Sequence, residues 1–445
     1  MDVMTSLQRL WALLITPTAR GMVIYILGNA AAAGVSFLLL PIFTRALTTE
    51  EFGLYALALG LVGFLLPLAS LGLPNVVSRF FIDRDDIDYP RLVSTCLLMS
   101  FLAIVTIIII VAVLNIIIPG QLYHWLGGLS GDLIPALFVM VAAQILMTIC
   151  LSLLQMEGRP FGYSLVRIIY AIAFGGAGVF AVLYLSAGGK GLVLAKAAVD
   201  VILVVGILFW LGWRNYMVPR VSAGAARHAL KYGLPLVPHT AAIGIIGITD
   251  RLLLTNMMGT SATGVYSVGF QIGMIMWLIV NSMNQAWLPW FYRQMKIGTH
   301  AVKVKVVQAT YLLIAAIAGI SLVFALLSPL IVSVMVGPTF QEASNICPWI
   351  VLGFFFHGLY ALANSYLYYA GYTVRLATAT GLTAIANIAF SWWLIELNGI
   401  VGAAQGTALA YLLAWAFVGF AARKAIPMPW LHIFSLSGRR GGLPK

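Results

Sequence analysis

The sequence predicts an all-α polytopic membrane protein: twelve transmembrane helices in two six-helix lobes related by an internal repeat. Three observations carry that prediction. Of 445 residues, 62% are hydrophobic and 9% charged, and the mean hydropathy is +1.01, whereas a soluble globule carries about 25% charge. The apolar runs are long enough to cross about 30 Å of hydrocarbon as helix, which takes roughly 20 residues, and none alternates like an outer-membrane barrel strand. The second half of the chain also restates residues of the first at a fixed offset.

In chain order, Met1–Ala19 contains LQRLWALLI with one Arg and one Trp and no small-residue cleavage site after it, so it reads as an attached interfacial helix and not as a secretory signal. The expected spans are 21–44, 52–78, 92–117, 133–155, 163–185, 191–213, 232–256, 264–289, 306–335, 345–368, 376–396 and 402–422. An even number puts both termini on one side. Of 25 Lys and Arg residues, Arg45, Lys190, Lys196 and Arg251 are assigned to spans or outward loops, and the remaining 21 (25 − 4) to tails and inward loops, for example Arg214, Arg220, Arg227 and Lys231. Because Lys and Arg collect on the cytoplasmic side, both termini are expected there. The net charge of +12 is then an orientation signal and a surface for anionic bilayer lipids. No basic patch is interleaved with exposed aromatics on a soluble domain, so nucleic acid is not an expected partner. Cys96, Cys150 and Cys347 sit in apolar runs without paired spacing, as core thiols would; no metal site and no cofactor is expected.

The repeat appears at a shift of 211 residues, where Gly53 and Tyr55 of EEFGLYALALG match Gly264 and Tyr266 of SATGVYSVGFQ, and Gly191 matches Gly402. It divides the chain into an N-terminal segment 1–20, an N-lobe 21–213, a cytoplasmic linker 214–231, a C-lobe 232–422 and a basic tail 423–445. Six helices per unit give both lobes the same topology, with a substrate space expected between them.

LPIFTRALTTEEFGLYALALGLVGFLLPLASLGLPNVVSRFF, YGLPLVPH, TDRLLL and GVYSVGFQIG resemble the bacterial polysaccharide flippases, in the superfamily that also holds the multidrug exporters of the toxic-compound extrusion type and the lipid II flippases. The likeness runs along nearly the whole chain. It implies a V-shaped pair of six-helix lobes in the bacterial inner membrane, alternating between inward-open and outward-open. The implied cargo is an undecaprenyl-pyrophosphate-linked oligosaccharide, a polyprenyl-pyrophosphate-linked glycan moved to the periplasmic leaflet, and the implied activity is transport without chemistry. A polysaccharide polymerase and other assembly proteins would be partners, and the flippase itself a monomer.

Such cargo needs a basic, wet cavity. Arg251 is the first candidate to line it, since a guanidinium stays charged and offers a fork of donors to phosphate oxygens; the alternative is a structural partner on a neighbouring helix. Asp250 is its neighbour, and successive helical side chains point about 100° apart, so the two need separate partners. Asp250 could meet Lys196 or bind a coupling cation. Lys196 and Asp200, four residues apart, share a face where each offsets the other's desolvation; if Asp200 pairs elsewhere, Lys196 becomes the second cavity cation. Arg79 and Arg293, at the inner ends of the second and eighth spans, could receive the pyrophosphate or serve as ordinary anchors. Gln271, Asn281, Asn284 and Gln285, with Trp277 and Trp287, suit sugar hydroxyls and rings but equally bond helix to helix. His239 follows two prolines and reads as a buried hydrogen-bonding group. The run DRDDIDYP at Asp83–Pro90 reads as a solvated loop, not as a metal-nucleotide motif.

Two competing functions come from other classes. A membrane polysaccharide polymerase or ligase needs a sizeable outward loop, and none here exceeds about 15 residues. A cation-coupled multidrug exporter should have an acidic cavity, while this chain offers Asp200, Asp250 and Glu396 beside Lys196 and Arg251. A lipid II flippase on the same fold would carry extra helices.

Overall fold

A computed structural model of the chain describes residues 17–118, 121 and 127–430, with the side chains of 17–22, 239 and 373–377 left out. The N-terminal segment as far as residue 16, the His239 side chain and the tail from 431 lie outside the described residues. Among the described residues the regular structure is helical, with no strand. The helices are α1 Pro17–Ala46, α2 Thr49–Ser70, α3 Leu73–Phe80, α4 Tyr89–Ile117, α5 Ile134–Met156, α6 Pro160–Val179, α7 Gly188–Trp213, α8 Ala223–Gly233, α9 Val237–Met258, α10 Thr260–Ile297, α11 His300–Met335, α12 Ala343–Tyr369 and α13 Thr373–Ala425.

Local sequence sets the boundaries. Thr48 accepts from the Glu51 amide while Glu51 reaches back to the Thr48 amide, a reciprocal cap that starts α2. Asp88 accepts from the Arg91 amide and Pro90 occupies the first turn of α4. Asp83, in the same acidic run, pairs with Arg79 at 3.0 Å.

Eleven helices among the described residues are long and apolar enough to cross a membrane, against the twelve expected. The difference falls at Gly399. At 53 residues α13 would be about 80 Å long if straight, but Gly399 takes φ 59°, ψ −137°, a conformation a side chain would forbid. The chain doubles back there. A Cβ at Gly406 would lie 2.6 Å from the Ser391 backbone, a contact impossible between residues 15 apart in a straight helix. Gly402 and Gly406 form the small-xxx-small spacing that lets two membrane helices touch.

The chain forms two compact units. One comprises Met1–Ile248 with Gly259–Gly264; the other comprises Thr249–Met258 with Val265–Lys445. In the first, the two glycines that match in sequence meet reciprocally: a Cβ on Gly53 would strike the Thr260 carbonyl at 2.0 Å, and one on Gly264 would strike the Thr49 carbonyl at 1.9 Å. The Thr49 and Ser261 hydroxyls bond at 2.7 Å beside them. The segment expected as a linker is strapped down: Val218 and Ser222 donate to Ser94 and Thr95 of α4, and Arg91 donates to the Val221 carbonyl. Outward faces are apolar, as on α4, where Ile109, Ile116 and Ile117 are exposed to what would be lipid. Cys96, Cys150 and Cys347 are buried with free thiols.

Candidate functional site

Asp250 sits in α9 at 3% exposure, inside an apolar helix, where an ionisable group demands partners. It accepts three hydroxyl hydrogen bonds. Tyr266 and Thr407 each donate to Oδ2 at 2.5 Å, and Ser391 donates to Oδ1 at 2.7 Å. Three hydroxyl donors thus occupy acceptor sites on both carboxyl oxygens.

The hydroxyl protons are aimed by a fourth residue. Asn387 Nδ2 donates to Thr407 at 3.1 Å and to Ser391 at 3.4 Å, so both hydroxyl oxygens already accept a proton and must donate their own onward. The fold supplies this cluster from four helical segments: Asp250 from α9, Tyr266 from α10, and Asn387–Ser391 and Thr407 from the two arms of α13. Gly406 is what lets those arms close until Thr407 reaches the carboxylate. Asn387 Oδ1 is buried with no partner among the described residues. A carboxylate, an amide carbonyl and hydroxyl oxygens in a buried cluster can hold a proton or a small hard cation.

Arg251 follows Asp250 on α9, about 100° further round the helix. Its guanidinium lies 4.8 Å from the centre of the Phe270 ring, a cation–π contact. Lys196 is the second cavity cation of the sequence reading, and its bonds satisfy it locally. It donates to Asp200 at 3.0 Å and to the Tyr170 hydroxyl at 2.5 Å, while Tyr170 donates to Asp200 at 2.7 Å. Asp200 is thus the counter-ion of Lys196, and Asp250 takes hydroxyls in place of the lysine.

The remaining candidates are scattered along their helices. Arg79 is engaged by Asp83 and packs over Phe80; Arg293 is exposed near the end of α10. Asn281 donates to the Trp277 carbonyl of its own helix, Gln285 is exposed, Gln271 half-buried, and Asn284 half-buried with an unpartnered Oδ1 among the described residues. Sequence reasoning missed Asn387, Ser391 and Thr407, although polar residues four apart at 387 and 391 in an apolar span were a readable signal. It also missed Arg167: assigned with the 21 inward basic residues, it lies about two turns inside α6.

Residues 18–295 match the family described as polysaccharide biosynthesis protein. An Lsg locus protein of Haemophilus influenzae is 24% identical over 285 residues, 62% of this chain and 66% of that protein, so the match spans just under two thirds of that relative's length. A protein of Haloferax volcanii named as a probable low-salt glycan biosynthesis flippase is 24% identical over 403 residues, 88% of this chain and 81% of that one. Among solved structures, the lipid II flippase MurJ in an inward closed conformation superposes with a TM-score of 0.73 at 15% identity, over 90% of this chain and 87% of that chain; the likeness is one of fold. With 278 of 445 residues (18 to 295) inside the family match, the chain belongs to the polysaccharide biosynthesis protein family.

Proposed function

We propose that this protein is a flippase that carries an undecaprenyl-pyrophosphate-linked oligosaccharide from the cytoplasmic to the periplasmic leaflet of a bacterial inner membrane by alternating access, and that the ion driving it binds at Asp250. The observation that carries the reading is a fully hydrogen-bonded buried carboxylate inside a spanning helix of a polysaccharide biosynthesis family member. A carboxylate at that depth is costly, and unlike Asp200 this one is held by hydroxyls and not by a lysine. An ion-coupled carrier does, because a site built from hydroxyl and amide oxygens around one charge can take up and release a proton or sodium ion as its hydrogen bonds rearrange.

In this reading Arg251 lowers the desolvation barrier for the pyrophosphate, and Arg79 and Arg293 gather it at the cytoplasmic entrance. Gln271, Asn281, Asn284 and Gln285 meet the sugar. The two lobes of the carrier are residues 21–213 and 232–422, both termini are cytoplasmic, the protein acts as a monomer, and a polymerase receives the product.

The test is transport by the purified full-length protein in proteoliposomes. A fluorescent polyprenyl-pyrophosphate disaccharide placed in one leaflet should become accessible to a quencher in the other several times faster than in protein-free vesicles, while a cationic dye should not be moved. Dye transport with no glycan movement would establish the multidrug-exporter reading instead.

A further inference from the structure

The first unit contains a recess of about 430 Å³ that none of the residues assigned above lines, with the exception of Arg167 and Tyr170. Its geometry is legible in the helices that wall it. Along α5, Gln144, Met147, Thr148, Leu151, Ser152 and Gln155 fall at steps of three and four, so they form one face about 16 Å long. Tyr163, Arg167 and Tyr170 form the facing stripe of α6. The third wall is α1, which presents Ala32, Ala33 and Ser36 and so leaves the space open.

The chemistry of this wall is specific. Among the described residues Arg167 is the one charged group lining the recess, and no carboxylate lines it. Its guanidinium donates through one Nη to Asn29 Oδ1 at 2.7 Å, a neutral acceptor that orients the group without cancelling its charge. An arginine at this depth, with no acid among the lining residues, normally marks a functional site. The neighbouring charges do not change the balance: Lys196 and Asp200 close on each other through Tyr170 at the edge of the recess.

Around the cation stand groups that match hydroxyls. The side chains of Gln144 and Gln155 and the Tyr163 hydroxyl make no hydrogen bond among the described residues, so each keeps its donors and acceptors for a ligand. Thr148 spends its proton on the Gln144 carbonyl at 2.7 Å and presents lone pairs. Tyr163 and Tyr170 add flat aromatic surface. A fixed guanidinium, two amides, hydroxyls and two rings around a volume in the small-molecule range of about 300–1,000 Å³ describe a receptor for a polyhydroxylated ring that bears an oxyanion.

We propose that the α1–α5–α6 recess is a head-group subsite that binds an oxyanion-bearing sugar unit of the cargo, with Arg167 holding the oxyanion and Gln144 and Gln155 reading the hydroxyls. The proposal rests on the flippase reading for the identity of the cargo, but its test does not depend on transport. The full-length protein in nanodiscs is titrated with a glucuronate-containing disaccharide, with the neutral disaccharide maltose and with inorganic pyrophosphate.

The acidic disaccharide should bind at least tenfold tighter than maltose, weaken as salt is raised, and lose at least tenfold in Arg167→Gln. Arg167→Lys should keep part of the affinity, having the charge without the fork, and Gln144→Leu should weaken acidic and neutral sugars alike. Binding of pyrophosphate that depends on Arg167 in the same way, without preference for the acidic sugar, would place the oxyanion on the lipid carrier and still establish the subsite. Equal affinity for acidic and neutral disaccharides with no response to pyrophosphate, or affinities unchanged in Arg167→Gln, would overturn it. Should Arg167→Gln fail to fold, Asn29→Ala keeps the charge but releases its tether, and it should lower the acidic-sugar affinity several-fold; unchanged affinity there counts against the proposal. Acidic-sugar binding that persists in a protein inactive in vesicles would retain the subsite and reject the flippase reading. The converse result, transport without selective binding, would reject the subsite alone.

Discussion

A hydroxyl hydrogen bond to a carboxylate is directional, and the Asp250 cluster depends on that direction. Oδ2 receives two donors, Tyr266 and Thr407. In Asp250→Asn an amide nitrogen at that position would face two protons, and in the flipped amide Ser391 would lose its acceptor. Each arrangement leaves a buried donor unsatisfied, so the substitution should lower stability by about 1–3 kcal/mol without unfolding the protein, measurable as a shift in thermal unfolding in detergent. Arg251 gives the complementary case. If it holds pyrophosphate, Arg251→Ala abolishes glycan export with the folded protein retained, and Arg251→Lys keeps part of it. Restored export in the double neutral variant of Asp250 and Arg251 would show that Arg251 merely balances charge.

Outside the membrane spans, the turn after α5 carries a second charged knot. Glu157 accepts from Arg214 at 3.0 Å and pairs with Arg159 at 2.8 Å, and the Tyr216 hydroxyl also donates to it. Burial pushes the Glu157 carboxyl up, but the bonds from Tyr216 and Arg214 and the two positive charges outweigh it and hold the carboxyl below its usual value. A depressed carboxyl stabilises the fold above the unfolded-state value of about 4.3 and loses that contribution as pH falls through its folded-state value. Thermal stability should therefore drop as pH goes below that range. In Arg214→Ala the Glu157 carboxyl is held down less, so stability near neutral pH should fall and the loss on acidification should become smaller.

At the scale of elements, helix closeness is set by glycine. Gly406 allows Thr407 to approach Asp250, so Gly406→Leu should splay the arms of α13 and reduce transport as strongly as Thr407→Val, though Thr407 itself is intact. Gly53→Val should clash with the Thr260 carbonyl and lower folded yield. The sequence carried much of this level. The Gly-x-Tyr match at a shift of 211 flagged both crossing glycines, and the four-residue spacing of Lys196 and Asp200 flagged their pair. It could not carry the partners of Asp250, because Ser391 and Thr407 lie 141 and 157 residues away, and spacing along the chain does not say which helices touch. The expected spans 376–396 and 402–422 leave a gap that contains Gly399, but composition does not say that the gap is a tight reversal at one glycine. Arg167 already falls inside the expected span 163–185, so counting it with the inward basic residues contradicts that span; the polar stripe from Gln144 to Gln155 is the signal that places it beside a cavity.

For the whole molecule, the distribution of Lys and Arg predicts an inside-positive orientation, with the strapped segment containing Arg220 and Arg227 in the cytoplasm. Gly224→Cys should therefore be inaccessible to an impermeant thiol reagent added outside intact cells, and become labelled after permeabilisation. In the proposed reading, that orientation also sets the energetics of transport. Moving a pyrophosphate out of an inside-negative cell is aided by about 2.3 kcal/mol per charge per 100 mV, so the field supplies direction while the carrier must supply a polar path and a means of resetting. The cluster around Asp250 is assigned that second task. The most direct measurement is glycan-lipid flipping in proteoliposomes with an imposed proton or sodium gradient, for wild type and Asp250→Asn side by side. One of the two gradients should accelerate flipping several-fold in wild type and leave Asp250→Asn unchanged. Flipping in wild type that ignores both gradients, or equal acceleration of the variant, would contradict the account.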